Sequence, residues 1–165
     1  MTTLARIALL MAMMIACVGC DQVTKTVAAR ELRGRAPVSL LGNVVCLTYA
    51  ENSGGFLSLG GELPPAIRST LFVAFAALGV FALFAFAVAN RSLDLIQVLG
   101  MGLMASGGVG NLVDRVLLGS ARDFLLLRVG PVHTGVFNLA DVAVTLGFAL
   151  LLFGRFRARG IRSLE

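Results

Sequence analysis

Polar positions along this chain are gathered into short runs, and four long apolar stretches lie between them. The first runs from about Leu4 to Cys20, the second from about Pro65 to Ala89, the third from about Leu95 to Leu118 and the fourth from about Leu139 to Phe153. A helix needs ~20 mainly apolar residues to cross a bilayer. The second and third stretches reach that length unaided. The first and fourth reach it by taking in Asp21-Gln22-Val23 and Val136-Phe137-Asn138, whose polar groups are tolerated at headgroup depth. The pattern predicts an all-α membrane fold forming one domain over residues 1–165. Its core is a bundle of four transmembrane helices at about 4–22, 65–89, 95–118 and 137–154, with periplasmic segments at about 23–63 and 119–136. Val38-Ser39-Leu40 and Asn43–Thr48 have strand-like content, broken at Gly42 and at the turn-rich Asn52-Ser53-Gly54-Gly55, so a small β segment is expected between the first two spans. Residues 119–137 contain Gly119, Gly130-Pro131 and Gly135, and read as a connector returning the chain to the same face.

Composition agrees with lipid as the solvent. The chain is 58% hydrophobic and 14% charged, against about half and about a quarter in soluble domains. The net charge of +5 does not call for nucleic acid. Arg155, Arg157, Arg159 and Arg162 crowd into the tail, and no aromatic-rich basic surface accompanies them. Lys and Arg divide evenly between the two sides of the four-span layout. The outer 21–63 segment, however, balances its bases with Asp21, Glu31, Glu51 and Glu62, whereas the tail holds only Glu165. Both termini are therefore expected in the cytoplasm, with the basic tail against anionic lipid.

Cys17, Cys20 and Cys46 lack metal-type spacing and His133 is the only histidine, so neither metal nor organic cofactor is expected. Cys17 and Cys20 read as small apolar helix residues. Arg6, the apolar run and Cys17-Val18-Gly19-Cys20 also look like a lipoprotein leader with Cys20 as the modified residue, but the three spans that follow favour a retained first span.

Ionisable groups at membrane depth are rare and usually functional. Asp114, Asp123 and Asp141 all fall at the outer ends of the last two spans. Asn111, Asp114 and Arg115 share one helix face at i, i+3 and i+4, and Asn138 and Asp141 repeat the i, i+3 spacing. Because the chain must turn back between those spans, the two faces can meet. Two carboxylates sharing a site cannot both ionise easily. That is the aspartic-peptidase device: the ionised partner takes a proton from water and the protonated one polarises the scissile carbonyl. Ser58 and Ser106 have no nearby base, which sets aside a serine nucleophile using Lys25. Asp21 and Lys25, at i, i+4, read either as a helix-end ion pair or as a device ordering the first span against the site. Asp114 reads as a structural partner, and Gly107, Gly108 and Gly110 as a helix-packing seam. His133, Glu51 and Glu62 read as exposed.

Five blocks then occur in an order that resembles the lipoprotein signal peptidase (signal peptidase II) family: Asp21-Gln22-Val23-Thr24-Lys25, Asn52-Ser53-Gly54 with Phe56 and Ser58, Gly107 to Arg115, Asp123-Phe124, and Phe137 to Asp141. The resemblance implies an endopeptidase that removes the signal peptide from prolipoproteins by cutting just before a diacylglyceryl-modified cysteine. It implies that Asp123 and Asp141 are catalytic, with Asn111, Asp114, Arg115 and Asn138 as polar support and Asp21, Lys25, Asn52 and Gly54 in matching outer blocks. Membrane lipids and globomycin-like cyclic peptide inhibitors are further implied partners. The chain departs from the pattern in two places. Gly54-Gly55-Phe56-Leu57-Ser58 stands where the family usually has Gly-Ala-Ala-Phe-Ser, so a more mobile loop over the cleft is expected. Arg122 stands before Asp123, where an uncharged residue is more common, and an adjacent Arg is expected to lower that carboxyl's pKa. A small transporter or proton channel is the rival reading. It would place its carboxylates near the midplane rather than at one face.

Overall fold

A computed structural model of the chain describes residues 1–53 and 64–162. The elements are α1 (Thr3–Glu31), β1 (Val38–Leu40), β2 (Val45–Asn52), α2 (Pro65–Ala89), α3 (Leu95–Leu118), β3 (Ala121–Val129), β4 (Val132–His133) and α4 (Leu139–Arg162). Each helix is long and apolar enough to cross a membrane.

Local chemistry sets the helix ends. The Thr2 hydroxyl accepts the Ala5 N–H at 3.2 Å and opens α1. Pro65 occupies the first position of α2, where a missing N–H costs nothing. Asp94 and Gln97 form a reciprocal capping box at the start of α3. Gly119 closes α3 at φ 78°, a left-handed conformation that a side chain would strain. The α1 helix outruns the span expected at about 4–22 and continues to Glu31. Residues 23–31 are more polar but contain no glycine or proline. The apolar run ends there, and the helix does not.

Helix α3 is the centre of the bundle and packs on α1, α2 and α4. The expected small-residue seam is present. A Cβ on Gly107 would stand 2.3 Å from the carbonyl oxygen of Ala140, and one on Gly110 would stand 2.6 Å from Asp21 Oδ2. Glycine is required at both by close approach. At the end of the bundle that holds Arg6, the core is Leu10, Ala87 and Val98. Arg6, only 4% exposed, donates there to the carbonyls of Ala87 (3.1 Å), Asn90 and Leu93 (3.3 Å). It caps the α2 C-terminus and the following turn from a different helix. Phe75, Phe81 and Leu4, by contrast, point outward, a disposition suited to lipid.

The four strands form one antiparallel sheet in the order β1-β2-β3-β4. The expected strand Val38–Leu40 is present, and the second runs Val45–Asn52, past the expected end at Thr48; the expected connector at 119–137 is more than a connector. Its β3 pairs with β2 across a bulge, placing Ala50 opposite Asp123 and Asn52 opposite Ala121. Phe137 and Leu125 exchange N–H···O bonds of 2.8 Å in both directions, so the chain is stitched to β3 just before it enters α4. Arg33, just beyond α1, ties the sheet down through Glu51 at 2.9 Å and lies over the Tyr49 ring.

Candidate active site

Sheet and bundle meet where α1, α3, α4 and β3 converge, and the polar residues singled out in the sequence meet there too. Asp123 follows Arg122 near the start of β3 and is 3% exposed. Asp141 lies in the first turn of α4 and is half-buried. A single residue, Asn138, bonds both carboxylates, one through its side chain and one through its backbone. Its Nδ2 donates to Asp123 Oδ1 at 2.6 Å and its backbone N–H donates to Asp141 Oδ2 at 3.1 Å, while its Oδ1 accepts the Asp141 N–H at 3.0 Å. The last two bonds form an N-cap exchange at the start of α4, which fixes Asp141 relative to Asn138. Asn52 on β2 donates to the other oxygen of Asp123 at 3.2 Å.

Asn111 on α3 extends the array. Its Nδ2 donates to Asp141 Oδ1 at 2.8 Å, and its Oδ1 accepts from Asn138 Nδ2 at 3.0 Å and from Lys25 Nζ at 2.9 Å. Lys25 is fully buried and pairs with Asp21 at 2.8 Å and Asp114 at 3.4 Å. Asp21 also accepts the Ala140 N–H at 2.9 Å, one residue before Asp141. Asp21 and Lys25 thus form the expected i, i+4 ion pair, and Asp21 also ties α1 to the first turn of α4. Arg115 is half-buried and donates to the Asn111 carbonyl at 3.3 Å. Gly54, with Phe56, Ser58 and Glu62 of the same stretch, lies outside the described residues.

Arg122 requires a correction. It was expected to depress the neighbouring carboxyl, yet Asp123 is pushed up from the usual carboxylate value, first by burial and then by the charge of Asp141. Successive strand side chains leave on opposite faces. The Arg122 guanidinium therefore turns away from Asp123 and is taken by Asp114, Nη2 lying 2.7 Å from Oδ1. Gln22 was quoted only as part of a block, but it is a junction in its own right. Its Nε2 donates to Asp21, the Gly110 carbonyl and Asp114, while its Oε1 accepts from Arg122. A polar residue at the end of a span was the only sequence signal for that role.

Fold and site together define a class: a multi-pass helical membrane protein with a pair of carboxylates gathered at one end of its bundle, built as a membrane peptidase. The signal peptidase (SPase) II family profile matches residues 13–157. The lipoprotein signal peptidase of Sulfurihydrogenibium sp. (strain YO3AOP1) is 31% identical over 80% of this chain and 81% of its own length. That of Caldicellulosiruptor bescii is 35% identical over 81% of each. The fold is shared with a bacterial membrane enzyme solved by the in meso method at 2.3 Å resolution, with a TM-score of 0.79 and 24% identity over 92% of this chain and 89% of that one. The chain belongs to the signal peptidase II family.

Proposed function

We propose that this peptidase removes signal peptides from prolipoproteins, cutting just before the diacylglyceryl-modified cysteine, with Asp123 and Asp141 as the catalytic pair. The observation that carries this reading is the bonding of both carboxylates to Asn138. Burial and the nearby Asp141 raise Asp123 above the usual carboxylate value, which suits it to the proton-donating role in this mechanism. Asp141, held by N–H donors from Asn111 and Asn138, accepts a proton from the attacking water. Hydroxide equivalent adds to the scissile carbonyl while the Asp123 hydroxyl donates to its oxygen. The tetrahedral adduct then collapses: the C–N bond breaks, the proton held by Asp141 passes to the leaving nitrogen, and a hydroxyl of the adduct returns its proton to Asp123 as the new carboxyl group forms.

The signal-peptide helix would lie along α2, α3 and α4, with the acyl chains in lipid. The enzyme would sit in the bacterial inner membrane, termini in the cytoplasm and site at the periplasmic face; the basic tail beyond Phe153 supports that orientation. Globomycin-like cyclic peptides would compete for the same cleft. The test is cleavage of a purified diacylglyceryl-prolipoprotein in detergent. Asp123→Asn and Asp141→Asn should each lower turnover at least ~10²-fold while retaining helical circular dichroism. Wild-type turnover in either variant would remove that residue from the pair.

A further inference from the structure

Arg122 is held at every polar group it has. Its backbone N–H donates to Asp114 Oδ2 at 2.8 Å. Its Nε reaches the same oxygen at 3.3 Å while Nη2 donates to Oδ1 at 2.7 Å, making a two-pronged grip on one carboxylate. Nη2 also donates to Gln22 Oε1 at 2.9 Å, and Nη1 lies 3.5 Å from Thr26 Oγ1. Its carbonyl accepts from Asn138 Nδ2 at 3.3 Å, the same amide nitrogen that bonds Asp123. The Arg122–Asp123 peptide is thus clamped between α1, α3 and the residue that leads into α4. Asp114 is fully buried and the Arg122 side chain is 13% exposed.

We propose that Arg122 is a positioning residue for hydrolysis: it pins the start of β3 to Asp114, Gln22 and Thr26, and thereby fixes where the Asp123 carboxyl stands opposite Asp141. The inference rests on the catalytic reading of Asp123. Its charge is not the agent. Asp21 and Asp114 balance Lys25 and Arg122, two acids against two bases, and the guanidinium is spent on Asp114. The charged groups that act on Asp123 are Asp141 on α4 and Lys25 on α1; Asp21 and Asp114 face Lys25, and Glu51 lies opposite Arg122 in the ladder. Among these, Lys25 is the cation that lowers Asp123. Glycine, alanine or valine in place of Arg122 would leave Asp114 with Lys25, Gln22 and the backbone N–H at position 122, and would free the strand from its side-chain grip.

Positioning and charge predict opposite results. If Arg122 acts through position, loosening it lets Asp123 move toward water and away from Asp141, and its pKa falls toward the ordinary value. If it acted through charge, removing the cation would raise that pKa. The experiment compares wild type, Arg122→Lys and Arg122→Gln in detergent, measuring kcat and KM on a diacylglyceryl-prolipoprotein across pH. The Asp123 carboxyl is followed separately by 13C NMR, which needs no turnover. Lys keeps the charge but cannot supply the two-pronged grip. Both variants should lose roughly 10- to 100-fold in kcat, the scale of a small misplacement of a reacting group, with KM within about twofold, and the Asp123 titration should move to lower pH. Wild-type kcat and titration in Arg122→Lys with a raised titration in Arg122→Gln would overturn the proposal, as would wild-type behaviour in both. If Arg122→Gln does not fold, Arg122→Lys alone decides, since only the positional account predicts its loss. Full activity in Asp123→Asn would instead sink the catalytic reading. The NMR titration would still report whether Arg122 places that carboxyl.

Discussion

At the residue scale, the raised Asp123 carboxyl has a consequence for stability. Its folded pKa lies above the ordinary 3.8 because burial and Asp141 oppose its charge. Between those two values the folded state keeps a proton that the unfolded chain releases, so stability falls as pH rises through that window and stays lower above it. Asp123→Asn has nothing to ionise. Its melting temperature in detergent should exceed that of wild type at neutral pH, and the gap should close as the pH falls to the ordinary carboxylate range. In the proposed mechanism the same proton governs turnover: the basic limb of the pH–rate profile should lie above the usual carboxylate value, since Asp123 acts there as the protonated partner. That Asp123 and Asp141 meet in one polar cluster was legible in the sequence, because both fall at the outer ends of the last two spans. The path of Arg122 was not. Adjacency in sequence suggested a charge effect, and strand alternation sends the guanidinium to the other side.

At the element scale, the close approach of α3 to α4 depends on the absence of a side chain. Gly107→Ala would drive a methyl to within 2.3 Å of the Ala140 carbonyl oxygen, against backbone that cannot swing aside. It should cost about 1–3 kcal/mol. Because Ala140 adjoins Asp141, turnover should fall with it. Gly19→Ala is the matching control: no atom lies within 4 Å of the added methyl, and the helix should gain about 0.5–1 kcal/mol. Thermal unfolding of the two variants in one detergent checks both. Arg6→Met tests the opposite end of the bundle. It leaves the carbonyls of Ala87, Asn90 and Leu93 without their donor, and should cost about 1.5–3 kcal/mol with turnover per folded molecule unchanged. The helices were legible because apolar length is a local property. Pairing of β3 with β2 was not, because Asp123 and Ala50 come together only through the fold of the whole bundle. The extension of α1 was hidden for another reason: its final turns are polar but lack a breaker.

At the scale of the whole molecule, the ends of the bundle differ in kind. One carries Arg6, the Asn90 turn and, beyond Phe153, the basic tail; the other carries the sheet and the paired acids. In the proposed orientation these ends face opposite compartments. Ser92→Cys and His133→Cys, each in a protein whose three native cysteines are replaced, should report this with a membrane-impermeant maleimide. His133 is exposed on the sheet and should label in intact spheroplasts, and Ser92 only after permeabilisation. Labelling of both from one side would refute the topology.

Under the proposed function, the length of α1 has a consequence for where the cut falls. Twenty-nine residues make a rod about 43 Å long, while the hydrocarbon layer is ~30 Å thick. The surplus is a stalk, and the sheet with Asp123 rides on it. Under the proposed function, the paired carboxyls would be carried at a set height by a gauge immersed in the same lipid that would anchor the substrate's own leader helix. Thickening or thinning of that layer displaces gauge and leader together, so the cut can stay in register.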